Sequence, residues 1–534
     1  MVRGPRAEAD NAEPRRLDLW EGIKTTFRLF SDPDAAATIG VYPYNGQLFD
    51  LPRTPMSTAG RCDNKHVLDV IRSLTTVRTG RMRMHVDYRN LGVEELGAVY
   101  ESLLDYTLTI AATPIGSEGR VVPAGHAYLA ALSTERADLA SYYTPSDLVD
   151  LLLARSLDPL IEERLAAAGT DLASQERALL SLKVMDPACG SAAILIGALG
   201  RIASAVAQTR SAPREPRDTD LALARRDVLQ RCIYGVDKDP FAVELAKVAL
   251  WIHCVVPDQP LSFLDQRIVC GDSLVGWPLL DLPSDIPTEA FTYAKATGDD
   301  KKILIAAKKR NAAYVQTNSL LSLLTVDPDL SLPANLTAPE NTLGDVHAKA
   351  AAFHKWRDSD AYGRWKAAAD IWTAAFFWTA DHGPAPITDD YQRAISGHPD
   401  IDLAGAAATV IADLNPLHWP LAFPDVRAAG GFDLVVGNPP WEESASIEQE
   451  FFAQSSPAIA VMTSEHRGAA INALETSDPG MYQRWLTYQA VQARFSHYAK
   501  TSGRYTRTNG KTNSYALFVG AASTVSPDFA RGAG

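Results

Sequence analysis

Residues 432 to 443 read FDLVVGNPPWEE, an apolar run that closes on an amide, two prolines and an indole. Asn438 brings a side-chain carbonyl as acceptor, and Pro439 adds a backbone carbonyl that its neighbour Pro440, lacking an N–H, cannot draw into a ladder. Two acceptors converging on one –NH₂ group bind both of its hydrogens and leave the nitrogen lone pair ready to attack. Trp441 offers a face on which a planar base can stack. The plain alternative is a strand-ending turn with a packed tryptophan.

Three acids stand at comparable places. Asp186 opens Asp186-Pro187-Ala188-Cys189-Gly190-Ser191, whose small residues would let an anionic group reach backbone N–H groups at a helix start; a simple strand-to-helix turn reads equally well. Asp237 can accept from two ribose hydroxyls, as strand-end acids do in dinucleotide-binding folds, or it can cap a helix, although Asp239 with Pro240 behind it is the better cap. Asp272 can receive an adenine amino group or close a turn.

Those residues need strands beneath them. LKVMDPACGSAAILIGALGRIASAVA reads as a strand, a turn and a helix with Ile194, Ala198, Ile202 and Ala205 on one face. CIYGVDKDPFAVELAKVALWI repeats the plan, with Phe241, Leu245, Val248 and Ile252 expected to be buried. QRIVCGDSL supplies a third strand. Strands that finish on aspartates along one edge are where open parallel sheets bind ligands.

Around this unit we expect a helical region over 1–110 (including 90–110 at helical spacing) and a connector of short strands and turns over 111–140. A first α/β half over 141–276, a helical insertion over 277–412 and a second half over 413–534 follow.

Length, 534 residues, asks for several subdomains, and 46% hydrophobic with 22% charged residues is ordinary globular composition. No run suits a membrane span, and the polar N-terminus lacks a secretory apolar core. Five cysteines without a CxxC pair suggest neither a zinc site nor a disulfide framework, so a reducing cytoplasm is expected. The net charge of −13 excludes a uniformly basic coat but leaves room for a local basic groove. Residues 494–511 carry Arg494, Lys500, Arg504, Arg507 and Lys511 among aromatic residues and without an acid, a pattern that either tracks phosphates or forms a solvated loop.

Taken in order, these stretches resemble the DNA adenine-N6 methyltransferases of the gamma arrangement. The likeness is greatest to the large methylase subunits of type IIG and type I restriction-modification and of BREX- or DISARM-like phage defence. SYYTP (141–145) is similar to that family's first cofactor motif, DPACGS to its cofactor loop, YGVDKDPFAVELA to its ribose-binding strand, CGDSL to its adenine-contacting strand and FDLVVGNPPW to its catalytic motif. The resemblance implies a Rossmann-like methyltransferase sheet, S-adenosylmethionine as cofactor, no metal, and an adenine flipped out of double-stranded DNA. By position, Asn438 and Pro439 would accept from the adenine amino group, Pro440 would complete the turn and Trp441 would stack. Tyr143, Thr144, Pro145, Asp186, Pro187, Ala188, Cys189, Gly190 and Ser191 would line the methionine side of the cofactor site, Asp237 its ribose, and Asp272 with Ser273 its adenine.

Ala192 departs from the family pattern, which has glycine there, and Ile194 replaces the usual phenylalanine. If that position needs a positive φ, alanine costs about 1 kcal/mol. After NSYALFV the expected further strands and target-recognition domain do not follow, so the expectation is a truncated, frame-disrupted or split methyltransferase with an incomplete sheet, partnered by a C-terminal specificity chain or other defence-system subunits. No nuclease signature stands out. Two other readings stay open: methylation of an RNA or protein amide, and a non-catalytic DNA-binding or scaffold subunit of a defence complex.

Overall fold

The structure, a computed structural model, describes residues 16–39, 60–79, 82–86, 106–111, 114–117, 120–131, 144–257, 259–280, 282–292, 298–318, 330–440, 448, 451–452, 455–505 and 514–526. It is a mostly helical α/β chain built on a parallel sheet of β1 (Val184–Asp186), β2 (Ile233–Asp237), β3 (Ile268–Cys270) and β4 (Leu434–Val435). The spatial order is β4-β1-β2-β3, with Val184 paired to Ile233, Val236 to Val269, and Leu434 to Val184. The chain thus steps outward from β1 to β3 and returns to lay β4 on the other side of β1. The order reverses between β1 and β4, which is where open sheets of this kind hold ligands, beyond the carboxyl ends of the strands.

Alternation along the strands serves two cores. Val184, Ile233, Ile268 and Val436 pack with Leu153, Leu195, Ile202 and Leu250. These last come from α1 (Ser146–Ala168), α3 (Ala193–Ser211) and α5 (Pro240–His253), which lie with α2 (Leu172–Leu180) and α4 (Asp218–Arg231) in the same layer. Met185, Tyr234 and Val236 face the opposite core, with Leu417, Trp419, Phe423 and Phe432. A methyl group on Gly235 would come within 2.9 Å of Leu195 and 3.1 Å of Cys189, so this glycine sets how closely α3 lies on β2.

Two sequence expectations are corrected here. On α5 the buried residues are Ala242, Val243, Ala246, Lys247, Ala249, Leu250 and Trp251; Leu245 and Val248 are half-buried, and Phe241 and Ile252 are about half exposed (50% and 48%). The helix is apolar almost all round, so hydrophobic spacing could not choose its inner face. Within the region read as helical, Asp18–Ser31 and Asn64–Thr75 are helices, but Thr76–Thr79 pairs with Met82–His85 in a hairpin and Tyr106–Ile110 is a strand paired with Ala127–Ala131. β-branched Thr107, Thr109 and Ile110 favour that strand. Residues 87–105, the rest of the expected helix, lie outside the described residues.

The segment between β3 and β4 contributes α6 (Gly298–Thr317), α7 (Leu343–Arg357), α8 (Asp360–Ala374), α9 (Thr388–Ile395) and α10 (Ile401–Val410). Its Trp365, Trp372 and Tyr391 share one core with Trp277 and with Tyr498 and Leu517. These last two lie on α11 (Pro479–Thr501) and α12 (Ser514–Val525). No helix among the described residues is long and apolar enough to cross a membrane.

Candidate active site

β1 and β2 deliver their aspartates side by side. Asp186, 2% exposed, accepts from the Ala188 N–H at 3.1 Å, and burial pushes its carboxyl up to about 7, with the neighbouring Asp237 charge adding to the rise. Asp237 accepts from the N–H of Gly190 at 2.9 Å and from that of Asp239 at 2.9 Å; burial raises its carboxyl as well. Asp239 is the N-cap of α5, accepting from the Phe241 N–H, so Asp237 is not used up in that role.

The 186–192 loop is fastened at each step. Cys189 donates its N–H to the Val236 carbonyl at 2.9 Å, and its buried thiol is pushed well up by desolvation. The Pro187 carbonyl accepts from the Ser273 hydroxyl at 2.6 Å. Gly190 (φ 50°) and Ala192 (φ 71°, ψ 23°) are both left-handed, so the position where the family pattern has glycine does require positive φ. Ser191 is half-buried just before α3.

Asp272 lies two residues past β3 and forms an isolated parallel bridge with Pro416. One carboxylate oxygen accepts from the Leu274 N–H at 2.9 Å, and the other meets the exposed Lys238 ammonium at 3.2 Å. Asp272 therefore closes its own turn and keeps a second oxygen on an exchangeable surface partner. Ser273, expected to line the cofactor site, is 3% exposed and turned inward onto Pro187, so it braces the loop rather than facing a ligand.

Beyond β4 the chain enters the Asn438-Pro439-Pro440 turn. Asp433 sets its register by accepting from the Lys183 N–H at 2.8 Å and pairing with Arg164. A methyl group on Gly437 would sit 2.6 Å from Asp186 Oδ1, so only glycine lets the turn and the β1 carboxylate meet. Asn438 donates through Nδ2 to Thr144 Oγ1 at 3.3 Å, which puts its carbonyl oxygen on the other edge of the amide. The Pro440 carbonyl accepts from the Ser514 hydroxyl at 2.6 Å.

The structure thus brings together Thr144, Pro145, Asp186, Pro187, Ala188, Cys189, Gly190, Ser191, Asp237 and Asp272 with Asn438, Pro439 and Pro440 at one end of the sheet. Tyr143 and Trp441 lie outside the described residues. The basic stretch is corrected in part. Arg494 pairs with Asp300 at 2.8 Å, and Arg504, 3% exposed, donates to the Ser273 and Gly276 carbonyls at 2.6 and 3.2 Å; neither presents its charge to a phosphate. Lys500 is exposed, while Arg507 and Lys511 lie outside the described residues. Sequence reading missed Gly437, Lys238 and Ser514; of these only Gly437 carried a signal, as the glycine directly before an Asn-Pro-Pro turn. A separate cleft of about 620 Å³ runs between α5, β3 and the insertion helices, and none of the expected site residues lines it.

Fold and site define an α/β protein whose sheet sets strand-end carboxylates beside an amide-and-carbonyl turn. Residues 125–260 match the family described as N-6 DNA Methylase, and residues 231–465 match the one described as Eco57I restriction-modification methylase. A protein of Methanocaldococcus jannaschii described as a "Putative type II restriction enzyme and methyltransferase" is 20% identical over 400 residues, covering 65% of this chain and 32% of its own. The chain thus spans about a third of the length of the curated relative it matches. No solved structure matches it. Together the two matches run over residues 125–465, so the chain is similar to N-6 DNA methylases and to restriction-modification methylases.

Proposed function

We propose that this chain carries the catalytic part of a DNA methyltransferase that moves a methyl group from S-adenosylmethionine to the N6 amino group of an adenine flipped out of the duplex, within restriction-modification. The observation that supports it most is the contact of β1 with the turn after β4: the Asp186 carboxylate lies against Gly437, so a ligand over the 186–191 loop would adjoin a base held at Asn438.

The donor set fits the cofactor. Asp237 already accepts two N–H groups, but a carboxylate has about four acceptor positions, leaving capacity for two ribose hydroxyls. Asp272 can exchange Lys238, a surface partner worth roughly 0–1 kcal/mol, for an adenine amino group. Asp186, buried and charge-poor, suits a cationic ligand that repays its ionisation. When bound, the cofactor supplies an electrophilic methyl on a sulfonium. The chain's share is alignment: Asn438 Oδ1 and the Pro439 carbonyl take both amino hydrogens, Thr144 holds the amide that does so, and the lone pair is left facing the methyl.

The relative's greater length and the acidic body of this chain favour a separate base-reading element, supplied in cis or by a second chain. The test is transfer of labelled methyl to unmodified DNA, RNA and a protein mixture, alongside calorimetry with S-adenosylmethionine. Label confined to DNA adenine is expected; label in RNA or protein instead, or an absence of cofactor binding with duplex binding retained, would replace this reading.

A further inference from the structure

Two sets of contacts, from the C-terminal end of α11 onward, reach opposite sides of the proposed site. At one end Arg504 donates to the Ser273 and Gly276 carbonyls, Tyr505 donates to the Leu274 carbonyl, and the Tyr498 hydroxyl both donates to the Gly276 carbonyl at 3.0 Å and accepts from its N–H at 3.1 Å. That is a complete clamp on the turn that begins with Asp272, and Ser273 passes it on to Pro187 in the cofactor loop. At the other end, where α12 begins, Ser514 donates to the Pro440 carbonyl.

The Ser514 bond carries the sharper consequence. Proline fixes its own φ near −65°, so the free torsion of Pro440 is ψ, and ψ is what the direction of its carbonyl reports. Holding that carbonyl at 2.6 Å therefore fixes the last described torsion of the Asn438-Pro439-Pro440 turn. It also turns the Pro440 carbonyl toward the start of α12, which leaves the Pro439 carbonyl as the second acceptor beside Asn438. Thr144 holds the turn from one side and Ser514 from the other.

We propose that Ser514 is a positioning residue for the methyl-accepting turn, acting through the Pro440 carbonyl to hold the Asn438 and Pro439 acceptors in place, while Arg504 fixes the adenine end of the cofactor site from the same stretch of chain. This rests on the methyltransferase reading above.

The test uses the full chain with Ser514→Ala and Ser514→Thr. In hydrogen exchange without any substrate, Ser514→Ala is expected to raise exchange in the peptide containing 436–441 and to leave that containing 186–192 unchanged. Ser514→Thr, which keeps the hydroxyl, should match the native chain. In methyl transfer to unmodified genomic DNA, Ser514→Ala should lower kcat about tenfold to a hundredfold, the scale of a small misalignment. The dissociation constant for S-adenosylmethionine should change less than twofold, and threonine should restore kcat. Unchanged exchange at 436–441, or a kcat loss accompanied by equal loss of cofactor affinity and not restored by threonine, overturns the positioning role. The functional reading fails separately, if Asn438→Ala transfers methyl to DNA as well as the native chain.

Discussion

Asp186 is the residue on which the site's charge turns. Its carboxyl is raised from 3.8 to about 7 by burial, so the folded chain binds a proton there that the unfolded chain does not. The stability associated with that proton is fully present below about pH 4 and is lost as pH rises through about 7. A cationic ligand favours the ionised form, so cofactor affinity should run the opposite way and rise across pH 6 to 8. Asp186→Asn should flatten both profiles, which thermal melts and calorimetry at several pH values would show; a native chain whose cofactor affinity is level over that range would contradict the assignment. Ala192 illustrates a second balance. Its left-handed backbone costs about 1 kcal/mol, yet its methyl is wholly buried in the core under α3, worth about 0.8 kcal/mol, so alanine stands there at little net cost.

At the scale of elements, β4 is the weakest piece and the most consequential. Its ladder with β1 is only Leu434 and Val435; the Val436 N–H on the Met185 carbonyl, the Phe432 N–H on the Val525 carbonyl, and Asp433 on the Lys183 N–H and Arg164 add to the hold. Asp433→Ala should cost about 1–3 kcal/mol in urea unfolding, from the lost charge-assisted bonds, and should lower methyl transfer while leaving cofactor binding near native. The strands and their acids were legible in the sequence, because an apolar run ending in Asp before Gly, Pro or a helix start has few other solutions. The inner face of α5 was not, since PFAVELAKVALWIH offers apolar residues on every side. Nor was the fate of Arg494 and Arg504: their partners Asp300, Ser273 and Gly276 are remote in sequence, and an unpaired-looking cation reads as free until the fold closes on it. Ser514 read only as the start of a helix.

Across the whole molecule, the stretch between β3 and β4 is structural rather than appended. Trp277, Trp365, Trp372 and Tyr391 from the insertion, Leu274 and Val275 from the α/β half, and Tyr498 and Leu517 from the last helices bury one another in one core. Trp372→Ala should therefore cost about 3–5 kcal/mol and shift unfolding of the sheet and insertion together, as followed by fluorescence and far-ultraviolet dichroism. Two separated transitions would show instead that the insertion folds as its own unit. This shared core also lets the last helices reach both the Asp272 turn and the Asn438 turn, tying the long crossover to the candidate site at the sheet's end.

The most direct test of the central claim is mass-spectrometric measurement of 6-methyladenine formed in unmodified DNA by the chain, with its base-reading partner if one is needed, comparing native protein with Asn438→Ala. The account predicts 6-methyladenine with the native protein and its loss by a hundredfold or more in the variant, with S-adenosylmethionine binding retained. Equal 6-methyladenine from both proteins would contradict it.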